Sequence, residues 1–137
     1  MKPYYATLCI ELAILFNLLV NSPARAETDP AERKVHHVAI VWLKQHGDPQ
    51  IRQQYIEASK PLAALPGVLS YDIGVPAEIK RQRPNSAVDE SYDLAVSGSF
   101  QNQQAMEDFL KSAEYLHVAQ QVLRPLVEKY IVYDFIE

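Results

Sequence analysis

The stretch Val35-His36-His37-Val38-Ala39-Ile40-Val41-Trp42-Leu43-Lys44 alternates with a period of two and is rich in β-branched side chains, so it predicts a β-strand. Alternation sets His37, Ala39, Val41 and Leu43 on one face and His36, Val38, Ile40 and Trp42 on the other. Both sets are mostly apolar, so each face is expected to lie against something other than water. A strand covered on both sides sets the terms for the rest of the chain.

Downstream, Gln45-His46-Gly47 reads as a turn, and Asp48-Pro49 as a helix start with Asp48 as N-cap and proline at the first helical position. Ile51, Tyr55, Ala58, Leu62 and Leu65 follow at spacings of three and four and form one apolar stripe. Pro61 lies inside that stripe and predicts a break near Ser59, because it removes a backbone hydrogen bond. Pro66-Gly67 ends the element, Val68 to Val75 reads as a second strand, and Pro76 to Glu90 as a long connection carrying Lys80, Arg81 and Arg83. Ser91 to Phe100 returns to period two, with Tyr92, Leu94, Val96, Gly98 and Phe100 on one face. Gln101 to Lys111 reads as a helix and a second helical stretch starts near Ala113. Lys129 to Ile136 is a last strand, with Ile131, Tyr133 and Phe135 opposed to Tyr130, Val132, Asp134 and Ile136.

The order strand, helix, strand, strand, helix pair, strand is that of an α+β domain, a ferredoxin-like four-stranded antiparallel sheet with helices on one face. The face left open carries Val38, Ile40 and Trp42. An apolar sheet face of this kind is a contact surface, which predicts a homodimer packed sheet to sheet as a dimeric α/β barrel.

Upstream of the strand the composition changes. The chain has 137 residues, 48% hydrophobic and 22% charged, with a formal net charge of −4 and one cysteine. Residues 1–26 read as a secretory signal peptide: Lys2 starts it, Ala6 to Val20 is nearly all apolar, and Ser22-Pro23-Ala24-Arg25-Ala26 ends in a small-x-small cleavage pattern. The apolar run is about 15 residues long and contains Glu11, short of the ~20 that span a bilayer. The mature protein is thus expected to be periplasmic or secreted, with no stable membrane anchor after cleavage. The leader takes Cys9 with it, so disulfides, thiolate metal ligands and cysteine nucleophiles are excluded from the mature chain. Residues 27–34 are polar and read as a flexible segment before the domain at 35–137. The acidic balance lacks the footprint of a nucleic-acid binder.

The mature chain resembles the stress-responsive α/β-barrel family of small dimeric ferredoxin-like proteins. The pieces that carry the resemblance are His37 to Lys44, Leu65-Pro66-Gly67-Val68, Tyr92-Asp93-Leu94-Ala95, and Leu123-Arg124-Pro125-Leu126-Val127 leading into Val132-Tyr133-Asp134-Phe135. The resemblance implies a two-fold dimer, a cavity in each subunit between sheet and helices, and no cofactor. In the family's polyketide-cyclising branch a first-strand histidine points into that cavity, and His37 matches it. The branch's His-Pro-x-His motif, whose histidine is the general base, is occupied by Ser112-Ala113-Glu114-Tyr115. Tyr115 then stands at the catalytic histidine and Phe109 at an assisting tyrosine, while His117 lies two residues further on.

From the residues themselves, histidine is the side chain suited to proton transfer near neutral pH, while tyrosine donates a hydrogen bond more readily than it accepts a proton. On the resemblance, His37 and Tyr115 are the candidate catalytic pair, with Ala39, Val41, Tyr55, Val96, Phe109 and His117 as further lining of the cavity; Val38, Ile40 and Trp42 are the expected dimer interface. His36 and His37 point apart, and no histidine pair has helical i, i+4 spacing, so no metal site is expected. Asp93 and Asp134 lie on different strands, free to pair with basic residues across the dimer. Tyrosine on most predicted elements suits a cavity for a small apolar or aromatic molecule. The readings that follow are a stress-associated binding protein, an enzyme of the cyclase or cofactor-free kind using His37 and Tyr115, or a purely structural stress-associated dimer.

Overall fold

The computed structural model describes residues 29–137, so the expected leader at 1–26 lies outside the described residues. Asp29 to Lys34 enters through one 3₁₀ turn, Pro30–Glu32, and Lys34 pairs with Glu137 at 2.9 Å. Among the described residues no helix is long and apolar enough to cross a membrane.

Strand β1 is Val35–Leu43, as its alternation predicts. Helix α1, Pro49–Ser59, starts where Asp48 Oδ1 accepts from the Gln50 and Ile51 N–H groups at 2.8 and 3.3 Å. It ends at Ser59, and Lys60–Ala64 continues as a 3₁₀ turn that holds Pro61, as the ring requires. Strands β2, Val68–Gly74, and β3, Leu94–Phe100, follow, the latter starting three residues later than its pattern suggests. Helix α2, Gln103–Lys111, is capped by Asn102. Helix α3, Ala113–Leu116, passes into a π-helical stretch, His117–Leu123, and a 3₁₀ turn, Arg124–Leu126, before strand β4, Val127–Ile136.

The sheet order is β2-β3-β1-β4, every neighbouring pair antiparallel, which is the ferredoxin-like α+β arrangement. Val41, Leu43, Leu94 and Phe100 from the sheet meet Leu62, Met106, Phe109, Val118 and Leu123 from the helical layer in one core. Each fully buried leucine here stabilises the fold by about 2 kcal/mol. At Gly67, φ is +83° and an added Cβ would stand 2.7 Å from that of Ala105, so only glycine lets β2 start this close to α2.

Helices cover one face only. On the other, Val38 and Ile40 are half-buried, and β4 adds Ile131, Tyr133 and Phe135, the last two 60% and 52% exposed. Trp42 lies at the end of this row, its Nε1–H on Ser91 Oγ at 3.1 Å and the Lys129 ammonium 4.5 Å above its ring.

Candidate functional site

A cavity of about 250 Å³ lies between the sheet and the helical layer. Its floor is the helix-facing side of β1 and its neighbours: His37, Ala39 and Val41, with Val96 from β3, Tyr71 from β2, and Tyr130 and Val132 from β4. The register sets these side by side, since Asp134, Val132 and Tyr130 stand opposite His37, Ala39 and Val41. Its roof is Tyr55, Leu62, Tyr115 and the π-helical stretch with Ala119, Gln120 and Leu123, closed by Arg124. A π-helical turn is wider than an α-turn and recurs at functional sites.

Ser112 positions Tyr115. Its extended backbone, ψ 142°, ends α2, and its Oγ donates to the Phe109 carbonyl at 2.8 Å and accepts the Tyr115 N–H at 3.2 Å. The Tyr115 ring then lies 4.8 Å from that of Phe109, which in turn meets Phe100 at 4.9 Å.

His37 Nδ1 lies 2.7 Å from Asp134 Oδ1, with the ring largely buried and the carboxylate half-exposed. The carboxylate accepts from Nδ1–H and so favours the tautomer whose Nε2 is a free acceptor. Among the described residues nothing bonds that Nε2. The phenols around it are poor bases. Burial pushes Tyr71 up to about 12, against a Ser59 hydrogen bond that opposes it and with Tyr115 adding to it. Tyr55 is raised further by burial, then by Tyr71 and Tyr115. Burial, then the charges of Tyr130 and Asp134, raises Tyr115. The cavity therefore offers one acceptor nitrogen fixed by a carboxylate, neutral hydroxyls, and aliphatic surface.

Residues 35–137 match the stress responsive A/B barrel domain, Dabb. The chain belongs to that family. No curated protein matches it in sequence. Among solved structures it is similar to a Dabb family protein of Mesorhizobium loti with a ferredoxin-like fold, at 19% identity and a TM-score of 0.62, covering 77% of this chain and 97% of that one. A dimeric ferredoxin-like protein of Thermobifida fusca aligns at 17% identity and a TM-score of 0.60, over 77% and 92%. The hydroxynitrile lyase of Passiflora edulis aligns at 19% identity and 0.61, over 77% and 94%. At these identities the likeness is one of fold.

Of the expected site residues of this A/B barrel chain, His37, Ala39, Val41, Tyr55, Val96 and Tyr115 line one cavity. Two expectations are corrected. Phe109 does not line it, because the ring is used up between Phe100 and Tyr115 in the core. His117 is exposed and turned away, as two residues beyond Tyr115 carry a side chain about 200° round a helix. Tyr71, Gln120, Leu123, Arg124, Tyr130 and Val132 also line the cavity. The expected interface residues Val38, Ile40 and Trp42 share the open face.

Asp93, in the bend just ahead of β3, and Asp134, on β4, both pair within the chain. Asp93, 0% exposed, accepts from the Leu43 and Gly47 N–H groups at 2.8 Å, from His46 Nδ1 at 2.9 Å, and from Arg52 Nη2 and Nε at 2.9 and 3.1 Å. Burial alone would raise its pKa. Gly47, Leu43, His46 and Arg52 together outweigh that and hold it at about 2. This carboxylate ties the end of β1, the following turn and α1 together, away from the cavity.

Proposed function

We propose that this A/B barrel protein is exported, pairs with a second copy through its open sheet face, and binds a small apolar or aromatic molecule in the cavity between sheet and helices, in the stress-responsive setting of its family's description. The observation that carries the binding reading is the cavity itself: four tyrosines and an aliphatic floor around about 250 Å³, with a largely buried imidazole oriented by a carboxylate. That volume is just under the roughly 300–1,000 Å³ of drug-sized sites and suits one or two rings. Rings stack on the tyrosine faces while hydroxyl or carbonyl groups reach the phenols and His37 Nε2. The pairing reading is supported by the row Val38, Ile40, Ile131, Tyr133 and Phe135, and by the dimeric Thermobifida fusca neighbour.

A second reading is favoured by the His37–Asp134 pair. A histidine whose Nδ1 is held by a carboxylate is arranged as a general base, with Tyr115 able to donate to an oxygen that gains negative charge. The Passiflora edulis neighbour shows that the fold accommodates an enzyme.

Titration of the purified protein with 2-naphthol, followed by ligand fluorescence, tests the binding reading. One site per chain is expected, weakened at least about tenfold in Ala39→Phe, which fills the floor. Equal binding by that variant, with its fold intact by near-ultraviolet dichroism, would place the ligand elsewhere.

A further inference from the structure

The cavity has two unlike ends. His37, bonded through Nδ1 to Asp134 outside the lining, stands at one. Four residues along β1, about 13 Å away at the usual rise, Val41 faces Tyr130, and there the lining is completed by Gln120 and Arg124. Among the described residues Arg124 is the one permanently charged side chain that lines the cavity, and no carboxylate of theirs lines it. Its guanidinium is held in place: Nη1 donates to the Val127 carbonyl at 2.9 Å and the carbon lies 5.8 Å from the centre of the Tyr130 ring. Among the described residues no acidic group pairs with it, so the remaining N–H groups are free. Gln120 and Arg124 also border an open outer groove of about 510 Å³ with Lys44 and Glu128, so this end is the mouth.

Resting on the ligand-binding reading, we propose that the ligand is an aromatic carboxylate, seated with its ring between Tyr55, Tyr71 and Tyr115, its carboxylate on Arg124 at the mouth, and its far end toward His37 Nε2. A planar guanidinium with unused N–H groups recognises a carboxylate through two parallel bonds. An apolar lining with a single positive rim selects a molecule of matching polarity. Lys44, in the same groove, adds attraction that Glu128 partly offsets. Arg124 is then a specificity residue, and its position leaves the acceptor nitrogen of His37 beside the end of the ligand remote from the acid.

The test compares 2-naphthol with 6-hydroxy-2-naphthoate, which differ by one carboxylate, against the purified protein and its Arg124→Gln and Arg124→Lys variants. The carboxylate probe is expected to bind the unaltered protein about tenfold tighter, a preference that shrinks with added salt. Arg124→Gln should remove most of that preference, weakening the carboxylate probe about tenfold and 2-naphthol far less, and Arg124→Lys should restore part of it. Equal binding of the two probes by the unaltered protein, or an equal loss of both in Arg124→Gln, overturns the anchor and leaves the cavity reading standing. Binding of neither probe overturns the cavity reading and the anchor together.

Discussion

His37 and Asp134 face each other across β1 and β4, ring nitrogen to carboxylate oxygen at 2.7 Å, although 97 residues separate them in the chain. The pair binds the edge strand to the centre of the sheet and aims one imidazole nitrogen away from the carboxylate. Its carboxylate is half-exposed, so the pair adds at most about 1 kcal/mol to stability. Its main effect is on orientation.

Asp134→Ala should therefore weaken 2-naphthol binding about fivefold while shifting the thermal midpoint by no more than a few degrees. Nitrogen-15 spectra of His37 should change from one neutral tautomer to a mixture. Unchanged affinity and an unchanged tautomer would separate the carboxylate from the site.

Asp93 governs the acid limb of stability. Its folded pKa, about 2, lies below the ordinary 3.8, so the folded state holds the charged form more tightly than the unfolded chain does. That stabilisation, about 2 kcal/mol, is fully present above pH ~4 and is lost as pH falls toward ~2. Asp93→Asn should cost about 3 kcal/mol at neutral pH, because Arg52 loses its anion, and should flatten the dependence between pH ~4 and ~2. Urea unfolding at several pH values checks both.

The buried phenols give the opposite limb. Tyr71 is raised from 10.0 to about 12, so its neutral form is favoured by folding, with full effect below pH ~10 and loss as pH rises toward ~12. Absorbance at alkaline pH should show Tyr71 and Tyr55 ionising together with unfolding, later than the exposed tyrosines. Tyr71→Phe should make the protein less sensitive to alkali.

Gly67→Ala should destabilise the protein by about 2 kcal/mol, since φ is +83° and the new methyl meets Ala105 at 2.7 Å. Gly47 also has positive φ, yet an added Cβ there meets nothing within 4 Å, so Gly47→Ala should cost less, about 1 kcal/mol. Denaturant midpoints rank the two.

Sedimentation should find the protein as a dimer, and Ile40→Asp, which places a charge amid Val38, Ile131 and Tyr133, should run as a folded monomer. A monomeric unaltered protein would remove the pairing reading.

What the sequence made legible was local. The alternation of Val35 to Leu43, the Asp48-Pro49 start and the break at Pro61 each follow from a few neighbouring residues, and all appear in the fold. The element order carried the topology. Register did not follow in the same way: that Asp134 falls opposite His37, and that Asp93 gathers His46 and Arg52, depends on pairings set by the whole sheet. The π-helical stretch has no propensity signature of its own, so nothing in the local pattern marks Gln120 and Arg124 as cavity residues. The family resemblance puts Phe109 in the lining, but its ring belongs to the core.

An aromatic molecule bound between sheet and helices would lie beneath the π-helical stretch. Residue-resolved chemical shifts of the purified protein, followed as 2-naphthol is added, locate it. Saturable changes are expected at Ala39, Tyr71, Tyr115, Ala119 and Val132, with the open sheet face silent. Changes confined to Val38, Ile40, Trp42 and Tyr133, or none at all up to the solubility of the probe, would overturn the binding reading.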